Sequence, residues 1–256
     1  MRSVREAAER LVLPAECLLC RGLFSYSDGD RLVCEVCRHR WRPVCPPWCD
    51  RCGQPEPHFG PCRLCREWPE SLVLVRSAVW LDAGARTAIH ALKYGGLPRI
   101  ACELAHAMSG LHLPGRERAW LVPVPLGAQR LRQRRYNQSE RLARALSRHW
   151  GRPVVELLAR TRETATQTAL TPESRLANVA GAFQVRSAEW GVRSERPRDN
   201  AALRIPHSAL ERPLILVDDV FTTGATLVEA ARALERAGAR AIAAVTFGRA
   251  VIPDFI

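Results

Sequence analysis

The sequence predicts an α/β protein with a mostly parallel sheet flanked by helices, preceded by a small cysteine-rich region. Two observations support this prediction. Apolar runs typical of strands alternate with helical patterns after residue 70, and such alternation is typical of parallel sheets covered on both faces. Nine of the ten cysteines precede residue 66, in a stretch with few aliphatic side chains. Trp68-Pro69-Glu70 marks the boundary, so we expect domains at 1–68 and 70–256.

The chain shows no targeting or membrane-spanning signal. Its first residues, MRSVREAAERLVLP, mix acids with bases and lack an apolar run of signal-peptide length. No later stretch approaches the roughly 18 apolar residues that are needed to span a bilayer. We therefore expect a soluble protein of the cytoplasm without membrane insertion.

The cysteine-rich region contains four C-x-x-C pairs, which form two modules in chain order. A C-x-x-C turn presents two thiolates to one tetrahedral Zn²⁺, and a second turn completes the four ligands. Since four protein ligands leave no open position for a substrate, we expect two zinc sites with a structural role. The expected zinc ligands are Cys17, Cys20, Cys34, Cys37, Cys49, Cys52, Cys62 and Cys65.

Other roles for the cysteines are weaker interpretations. Disulfides are disfavoured by the reducing compartment that we expect for this protein. A thioredoxin-like redox pair needs one C-x-x-C rather than four, and no βαβ pattern surrounds these pairs. Cys45 lies among prolines and has no assigned role. Cys102 lies in an apolar helical pattern, which predicts a core position.

Strand and helix signals alternate along the second domain. The first helical pattern ends at Lys93, where the paired glycines Gly95 and Gly96 give a stop signal. Residues 186–212 lack periodicity and are expected to form a surface loop. The predicted strands are 73–81, 120–124, 214–217 and 241–247, and the predicted helices are 86–93, 99–108, 138–150 and 227–236.

The segment LILVDDVFTTGAT, residues 214–226, carries the strongest functional signal. A buried strand pattern ends in Asp218 and Asp219, and a small-residue loop then leads directly into a helix. Such a loop directs backbone N–H groups and the helix dipole at one point, which favours a phosphate. Two carboxylates beside it suit ribose hydroxyls, directly or through hydrated Mg²⁺. An ordinary strand–loop–helix crossover with acidic residues near the helix start is the alternative.

This segment resembles the phosphoribosyl pyrophosphate motif of type I phosphoribosyltransferases. The resemblance implies that the acidic pair meets the ribose hydroxyls, with Mg²⁺ accompanying the ligand, and that the loop wraps the 5-phosphate. It therefore implies catalytic roles for Asp218 and Asp219. The implied substrate-binding residues of the loop are Val220, Phe221, Thr222, Thr223, Gly224, Ala225 and Thr226.

Further segments resemble the ComF family, which includes ComFC-like and GntX-like proteins. They are ALKYGG at 91–96, VPVPLGAQRLRQRRYNQSERLARAL at 122–146 and LARTRETATQTALTPESRLANVAGAF at 158–183. Together with the cysteine pairs they cover nearly the whole chain. The resemblance implies an N-terminal double zinc ribbon joined to a type I phosphoribosyltransferase domain. Some members are needed for natural DNA uptake, and others for the use of external DNA or carbon sources.

One position departs from the family pattern. The family's usual R-G-F-N-Q reads RRYNQ at 134–138, so Arg135 replaces a glycine. Glycine adopts positive φ without strain, whereas arginine does not. Any role that needs positive φ at this position is therefore in question.

Displacement of pyrophosphate from ribose passes through an oxocarbenium-like state, with negative charge growing on the leaving group. Fixed positive groups, usually with Mg²⁺, lower such a barrier. Arg130, Arg134 and Arg135 follow a predicted strand end, where a pyrophosphate loop is expected. Arg160 and Arg162 lie in a threonine-rich stretch that resembles a mobile catalytic loop. We expect catalytic roles for Arg134, Arg160 and Arg162, and ligand contacts from Arg130, Asn137 and Gln167.

The charge distribution leaves two classes of function open. The formal net charge is +12, and residues 130–162 contain ten arginines against two acidic residues. This concentration indicates phosphates or nucleic acid, although a solvated arginine-rich helix face is the alternative. One hypothesis is a Mg²⁺-dependent phosphoribosyltransferase with an unidentified acceptor. The other is a non-catalytic competence factor that binds nucleic acid, with single-stranded DNA or DNA-uptake and recombination proteins as partners.

A DNA-binding face, if present, is expected on the helix at 138–150. Arg141, Arg144 and Arg148 share one face at helical spacing, and Arg132 precedes them. Few aromatic residues adjoin this face, so the pattern indicates contacts with phosphates rather than with bases.

Overall fold

The protein is described as a computed structural model, which covers residues 15–25, 28–55, 61–162, 179–186 and 210–251. Its centre is a four-stranded sheet with the strand order β1–β6–β5–β2, in which each neighbouring pair is parallel. A separate antiparallel ribbon pairs β3 with β4. The strands are β1 Leu72–Trp80, β2 Trp120–Pro123, β3 Leu158–Arg160, β4 Phe183–Val185, β5 Leu214–Phe221 and β6 Ile242–Arg249. The predicted α/β fold is confirmed.

Helices connect and cover these strands. The side chain of Asp82 caps α2 by accepting a hydrogen bond from the Ala85 N–H, so this helix starts three residues earlier than predicted. The helix predicted at 138–150 has the predicted bounds. The described helices are α1 Glu35–His39, α2 Ala83–Tyr94, α3 Ala101–Ser109, α4 Ala128–Arg134, α5 Gln138–Trp150 and α6 Ala225–Arg236, with 3₁₀ turns at Pro98–Ile100 and Arg116–Arg118.

The two faces of the sheet are covered by different layers. Alternate residues of a strand point to opposite faces, so Ile215 and Val217 of β5 pack against α2, α3 and α5. Leu214 and Leu216 pack on the other side, against α6 and the β3–β4 ribbon. We refer to these as the three-helix face and the α6 face. Both are apolar, which is the usual pattern of a buried parallel sheet.

The cysteine-rich region packs against both faces of the sheet. Cys17, Cys37 and Trp41 belong to the core of the three-helix face. Cys52 and Trp68 belong to the core of the α6 face. The two halves of the region therefore lie on opposite sides of one sheet.

The chain between these halves covers the free edge of β1. The Val44 N–H donates to the Ala78 carbonyl, and the Trp80 N–H donates to the Arg42 carbonyl. Farther along the strand, the Val75 N–H donates to the Arg51 carbonyl at 2.7 Å. A bare edge strand offers unpaired backbone groups to other chains, so this pairing protects the sheet.

Two expectations about single residues need correction or refinement. Cys102 is exposed, so the predicted core position is wrong. It lies in α3 between Ala101, which is buried, and Glu103, and it faces outward next to Arg148, whose Nη2 lies 3.4 Å from the Cys102 sulfur. Arg135 adopts φ 63° at the C-terminus of α4, so the positive φ is retained without glycine.

The remaining expectations concern segments that the structure describes only in part. The expected surface loop at 186–212 falls mostly on residues 187–209, which lie outside the described residues. The structure describes the threonine-rich stretch up to Arg162 and again from Val179. These two described parts contain the paired strands β3 and β4. Within the described part of the chain, every helix is too short or too polar to cross a bilayer.

Candidate functional site

The loop at residues 222–224 joins β5 to α6 at the carboxyl end of the sheet. Gly224 caps α6 with φ 80°, a conformation that favours glycine. A Cβ atom at this position would lie 3.0 Å from Phe221 Cε2 and 3.0 Å from Trp68 Cζ2. Glycine is therefore required twice, by the backbone angle and by the packing beneath the loop. The resulting turn exposes the N-terminus of a helix of 12 residues, which attracts anions.

The acidic pair lies within β5 itself, three residues before the loop. This differs from the prediction, in which the strand ended before the pair. The strand continues because residues 218, 220 and 221 pair with β6, opposite Thr246, Gly248 and Arg249. Asp219 is 4% exposed and Asp218 is partly exposed, so both carboxylates lie in a poorly solvated part of the sheet.

Three polar contacts hold the acidic pair in place. Ser139 Oγ donates to Asp218 Oδ1 at 2.8 Å, and the Asp219 N–H donates to the same oxygen at 2.9 Å. Lys93 Nζ lies 2.9 Å from Asp219 Oδ2. Burial, followed by the negative charge of Asp219, raises the pKa of Asp218 to about 7, against the lowering effect of Ser139 and Lys93. The pair therefore changes charge near neutral pH.

Lys93 is a site residue that the sequence analysis missed. It lies in the last turn of α2, at the centre of the ALKYGG segment, and it lines the same cavity as the acidic pair. A usable signal was present, because Lys93 is the single lysine among 38 basic residues. An ammonium group is more compact than a planar guanidinium, which suits the contact of Lys93 with a single carboxylate oxygen.

The acidic pair and the loop line one open cavity of about 670 Å³. The cavity contains most of the residues predicted for the site. Its predicted lining residues are Asp218, Asp219, Val220, Phe221, Thr222, Thr223, Gly224, Ala225, Thr226, Arg130, Arg134 and Arg160. Segments far apart in sequence, from α2, α4, β3 and β5, are thus brought to one place.

Three other predicted residues are placed differently. Asn137 caps α5: its Oδ1 accepts from the Ser139 N–H and its Nδ2 donates to the Val124 carbonyl. Arg162 donates to the Ala180 carbonyl at 2.7 Å. Neither residue is among the described residues that line the cavity. Gln167 lies outside the described residues.

Two polar side chains of the cavity have buried atoms without a hydrogen-bond partner among the described residues. These atoms are Thr223 Oγ1 and Gln138 Oε1. Both side chains line the cavity, and Gln138 is 5% exposed. Buried polar atoms without partners are costly, so these two atoms are available to water or to a polar ligand in the cavity. Gln138 is a second residue that the sequence analysis did not assign.

Arginines form part of the cavity rim. The Arg134 guanidinium lies 4.8 Å from the centre of the Tyr94 ring, and its Nη2 donates to the Tyr94 hydroxyl at 3.0 Å. Arg160 stacks over Phe183 at 5.2 Å. These contacts orient the guanidinium groups beside the cavity, where they favour an anionic ligand.

The eight predicted zinc ligands form two clusters. The first cysteine cluster is Cys17, Cys20, Cys34 and Cys37, and the second is Cys49, Cys52, Cys62 and Cys65. The Cys20 and Cys34 sulfurs lie 3.8 Å apart, and the Cys52 and Cys62 sulfurs lie 3.6 Å apart. Zn–S bonds of about 2.3 Å place the sulfurs of a tetrahedral site about 3.8 Å apart.

The cysteines of each cluster therefore fit one zinc ion, and the clusters follow chain order. Disulfides do not fit, since bonded sulfurs lie about 2.05 Å apart. Burial, together with neighbouring thiolates, raises the pKa of Cys65 to about 12. Such a thiol ionises at neutral pH only beside a cation, which a bound metal supplies.

The comparisons with known proteins agree with this organisation. Residues 8–66 match a family model described as a double zinc ribbon domain. The chain is 32% identical over 247 residues to the DNA utilization protein YhgH of Escherichia coli strain K12, covering 91% of this chain and 96% of that protein. The chain belongs to the ComF family. The predicted double zinc ribbon and the predicted family are both confirmed.

Two more distant ComF relatives carry competence names. The competence protein ComFC of Bacillus subtilis strain 168 is 27% identical over 253 residues, which cover 91% of this chain and 94% of that protein. The competence protein F of Haemophilus influenzae is 27% identical over 247 residues, which cover 88% of this chain and 93% of that protein. The likeness thus extends over both the cysteine clusters and the cavity.

Proposed function

We propose that the cavity binds phosphoribosyl pyrophosphate with Mg²⁺ and that the protein transfers the phosphoribosyl group to an acceptor. One observation carries this proposal: the acidic pair and the N-terminus of α6 face a single cavity and are separated only by residues 220–224 of one strand–loop–helix unit. A helix N-terminus suits a 5-phosphate, and paired carboxylates suit the ribose hydroxyls. Thr223 Oγ1 would gain a phosphate partner, which it lacks among the described residues.

The side chains around the cavity suggest how the reaction would proceed. Asp218 and Asp219 accept hydrogen bonds from the ribose hydroxyls and fix the sugar, while Ser139 orients Asp218. Lys93 and Arg134 supply positive charge for the departing pyrophosphate, together with Arg130 at the cavity rim. Bound Mg²⁺ would neutralise the phosphates and polarise the leaving group. The acidic pair provides oxygen ligands suited to it, directly or through water.

Calorimetry with phosphoribosyl pyrophosphate and Mg²⁺ tests binding. Pyrophosphate release against a panel of nucleobases and amines then tests transfer. We expect saturable binding that depends on Mg²⁺ and pyrophosphate release with at least one acceptor. Lack of binding in the folded, zinc-containing protein would show that the motif is vestigial. Binding without release for any acceptor would favour the non-catalytic alternative.

A second candidate function is suggested by the names of the relatives and by the arginines near the cavity. We propose that the protein serves DNA utilization or competence, with single-stranded DNA or a DNA-uptake or recombination protein as partner. Arg141 and Arg148 on α5 have no carboxylate partner among the described residues, whereas Arg144 pairs with Glu140 at 2.7 Å and with Glu156 at 3.8 Å. Two of the three arginines therefore remain available for phosphates.

We further propose that the protein acts in the cytoplasm, where the eight cluster thiols stay reduced. Residues 1–68 and 70–256 are the proposed domains. Their contacts at β1 and on both faces of the sheet favour a common folding unit. Removal of residues 1–68 would expose the β1 edge and is therefore expected to cause aggregation, which size-exclusion chromatography would detect.

A further inference from the structure

We infer that the second cysteine cluster supports the loop at residues 222–224, through Trp68 and Arg249 as positioning residues; we call this loop the phosphate loop after its proposed ligand. The inference rests on the proposed phosphate-binding role of the loop. It assigns a function to the zinc ribbon within the binding site. It also distinguishes the second cluster from the first, which has the same ligand chemistry.

Trp68 is the first connection. It follows the zinc ligand Cys65 by three residues, and its N–H donates to the Cys65 carbonyl at 3.2 Å. Arg51 holds the same turn, because it donates to the carbonyls of Cys65 and Trp68 at 3.0 and 3.2 Å. At its other end, the Trp68 ring fills the space beneath Gly224, where an added Cβ would lie 3.0 Å from Cζ2. The position of this cluster therefore sets the floor of the phosphate loop.

Arg249 is the second connection. It ends β6 and is 1% exposed. Its Nη1 donates to the carbonyl of the zinc ligand Cys52 at 2.9 Å, and its Nη2 donates to Gln54 Oε1 at 2.9 Å. The same guanidinium lies 4.3 Å from the ring centre of Phe221, the last residue of β5 before the loop. Arg249 thus joins the cluster to the start of the loop.

The charge of Arg249 ties this arrangement to the metal. A buried guanidinium needs a nearby negative charge or several hydrogen bonds. Among the described residues, no carboxylate forms an ion pair with Arg249. Four thiolates around one Zn²⁺ carry a net charge of about −2, which offsets the buried cation. Loss of the metal would remove the centre that holds Cys52 and Cys65 together, so both connections depend on the loaded cluster.

The first cluster offers matched controls. Trp41 follows the ligand Cys37 by four residues, is 5% exposed and packs edge-on against Phe247 of β6, with ring centres 5.0 Å apart. Arg38 lies beside the same cluster and pairs with Glu103 at 3.4 Å. Neither residue is among the nearest neighbours of Gly224, where Trp68 lies. Trp41→Phe therefore matches Trp68→Phe in chemistry, burial and proximity to a cluster. Arg38→Met matches Arg249→Met in chemistry and proximity, with an Arg38 side chain that is 18% exposed.

The experiment compares these four variants of the full-length, zinc-loaded protein by two measurements. Amide hydrogen exchange of residues 221–226 without ligand reports the order of the loop. Calorimetry with ribose 5-phosphate reports its affinity for a phosphate. We expect Trp68→Phe and Arg249→Met to speed loop exchange and weaken ribose 5-phosphate by about tenfold. Trp41→Phe and Arg38→Met should leave both quantities within error, at comparable losses of stability.

Zinc release provides a third readout, because binding linkage is reciprocal. In equilibrium competition with a chelator, ribose 5-phosphate should raise the affinity for one of the two zinc ions and leave the other unchanged, and Trp68→Phe should remove this protection. Equal effects of the test and control variants on loop exchange would overturn the inference. So would protection of both zinc ions or of neither in a protein that binds the sugar phosphate. If wild-type protein does not bind ribose 5-phosphate, the proposed function fails, while loop exchange still tests the coupling.

Discussion

The two cysteine clusters share their ligands but differ in what surrounds them. The first lies on the three-helix face, where Arg38 next to it is balanced by Glu103 of α3. The second lies on the α6 face, and the arginines around it donate to backbone carbonyls of the cluster rather than to carboxylates. The first cluster is thus anchored to a helix layer, and the second is anchored to the strand ends that carry the phosphate loop.

This difference shows that identical metal modules acquire separate roles from their packing. A structural zinc site fixes the conformation of the segment that carries its ligands. Its influence on the rest of the protein therefore depends on which residues pack against that segment. The first cluster is bordered by the core of the three-helix face and by solvent. The border of the second is Trp68, with Gly224 above it.

Loss of one ligand from each cluster should have unequal consequences. Cys52 is fully buried and its carbonyl accepts from Arg249, whereas Cys20 is exposed. We expect Cys52→Ser to lower the free energy of unfolding by about 3–5 kcal/mol, since it removes one of the four thiolates that offset the buried charge of Arg249. Cys20→Ser should cost less. Urea unfolding measures both, and elemental analysis should find about two zinc ions in the wild type. Equal losses in the two variants would contradict the asymmetry.

Removal of the acidic pair should affect the cavity and neither cluster. Asp218→Asn with Asp219→Asn replaces acceptor oxygens by amides, which hold ribose hydroxyls and Mg²⁺ poorly. We expect affinity for phosphoribosyl pyrophosphate to fall at least about 100-fold, while circular dichroism and zinc content stay unchanged. Calorimetry gives the affinity. Unchanged affinity in the double variant would place the ligand elsewhere.

The raised pKa of Asp218 predicts that stability depends on pH. Burial and the charge of Asp219 raise this pKa from 3.8 to about 7, so the folded state binds the proton more tightly than the unfolded state. The contribution of Asp218 to stability is therefore fully present below about pH 4 and is lost as pH rises through 7. Relative to Asp218→Asn, the wild type should lose stability between pH 5 and 7 in urea unfolding.

Two further results would sharpen or contradict this pH dependence. Ser139→Ala removes a hydrogen bond that favours the carboxylate, so the transition should move to higher pH. Zinc content should stay constant over the same range, because Asp218 contacts neither cluster. A constant stability difference between the wild type and Asp218→Asn from pH 5 to 8 would show that the pKa of Asp218 is not raised.

Binding of DNA, if it occurs on α5, should be independent of the second cluster. Arg141 and Arg148 lie on the three-helix side and have no carboxylate partner among the described residues, whereas Arg144 is paired with Glu140. Alanine at Arg132, Arg141 or Arg148 should each lower the salt dependence of single-stranded DNA binding by about one unit of slope. Arg144→Ala is the matched control and should have little effect. Fluorescence anisotropy at several salt concentrations measures the slope.

The salt dependence of DNA binding should be the same when Trp68, which supports the phosphate loop, is replaced. Trp68→Phe should leave DNA affinity unchanged, because Trp68 lies on the opposite face of the sheet from α5. DNA binding that is insensitive to salt, or to all four arginine substitutions, would exclude this face of α5. It would favour the zinc ribbon as the DNA-binding surface.

The smallest expected effect concerns Arg135, which lies at the C-terminus of α4. Its φ of 63° costs an arginine about 1 kcal/mol, and glycine avoids this strain. Arg135→Gly should therefore raise the free energy of unfolding by about that amount, as measured by urea unfolding. Arg132→Gly, in the ordinary helical part of α4, is the control and should destabilise. A loss of stability in Arg135→Gly would mean that the arginine side chain makes compensating contacts.

Local patterns determined much of this protein from the sequence alone. The strand–loop–helix unit around Gly224 was predictable because its residues are contiguous in the sequence. The cysteine pairs were predictable because Zn²⁺ imposes four ligands at short spacing. The helix at 138–150 was predictable because its apolar residues repeat at the helical period.

The tertiary structure alone decided which distant residues meet. Lys93 reaches Asp219 across 126 positions, and Trp68 reaches Gly224 across 156, because β1, β6 and β5 lie side by side in the sheet. No local periodicity encodes such contacts. Even the pKa of Asp218 depends on how much water the surrounding layers exclude. The same cause placed one cysteine cluster beneath the phosphate loop and the other against a helix layer.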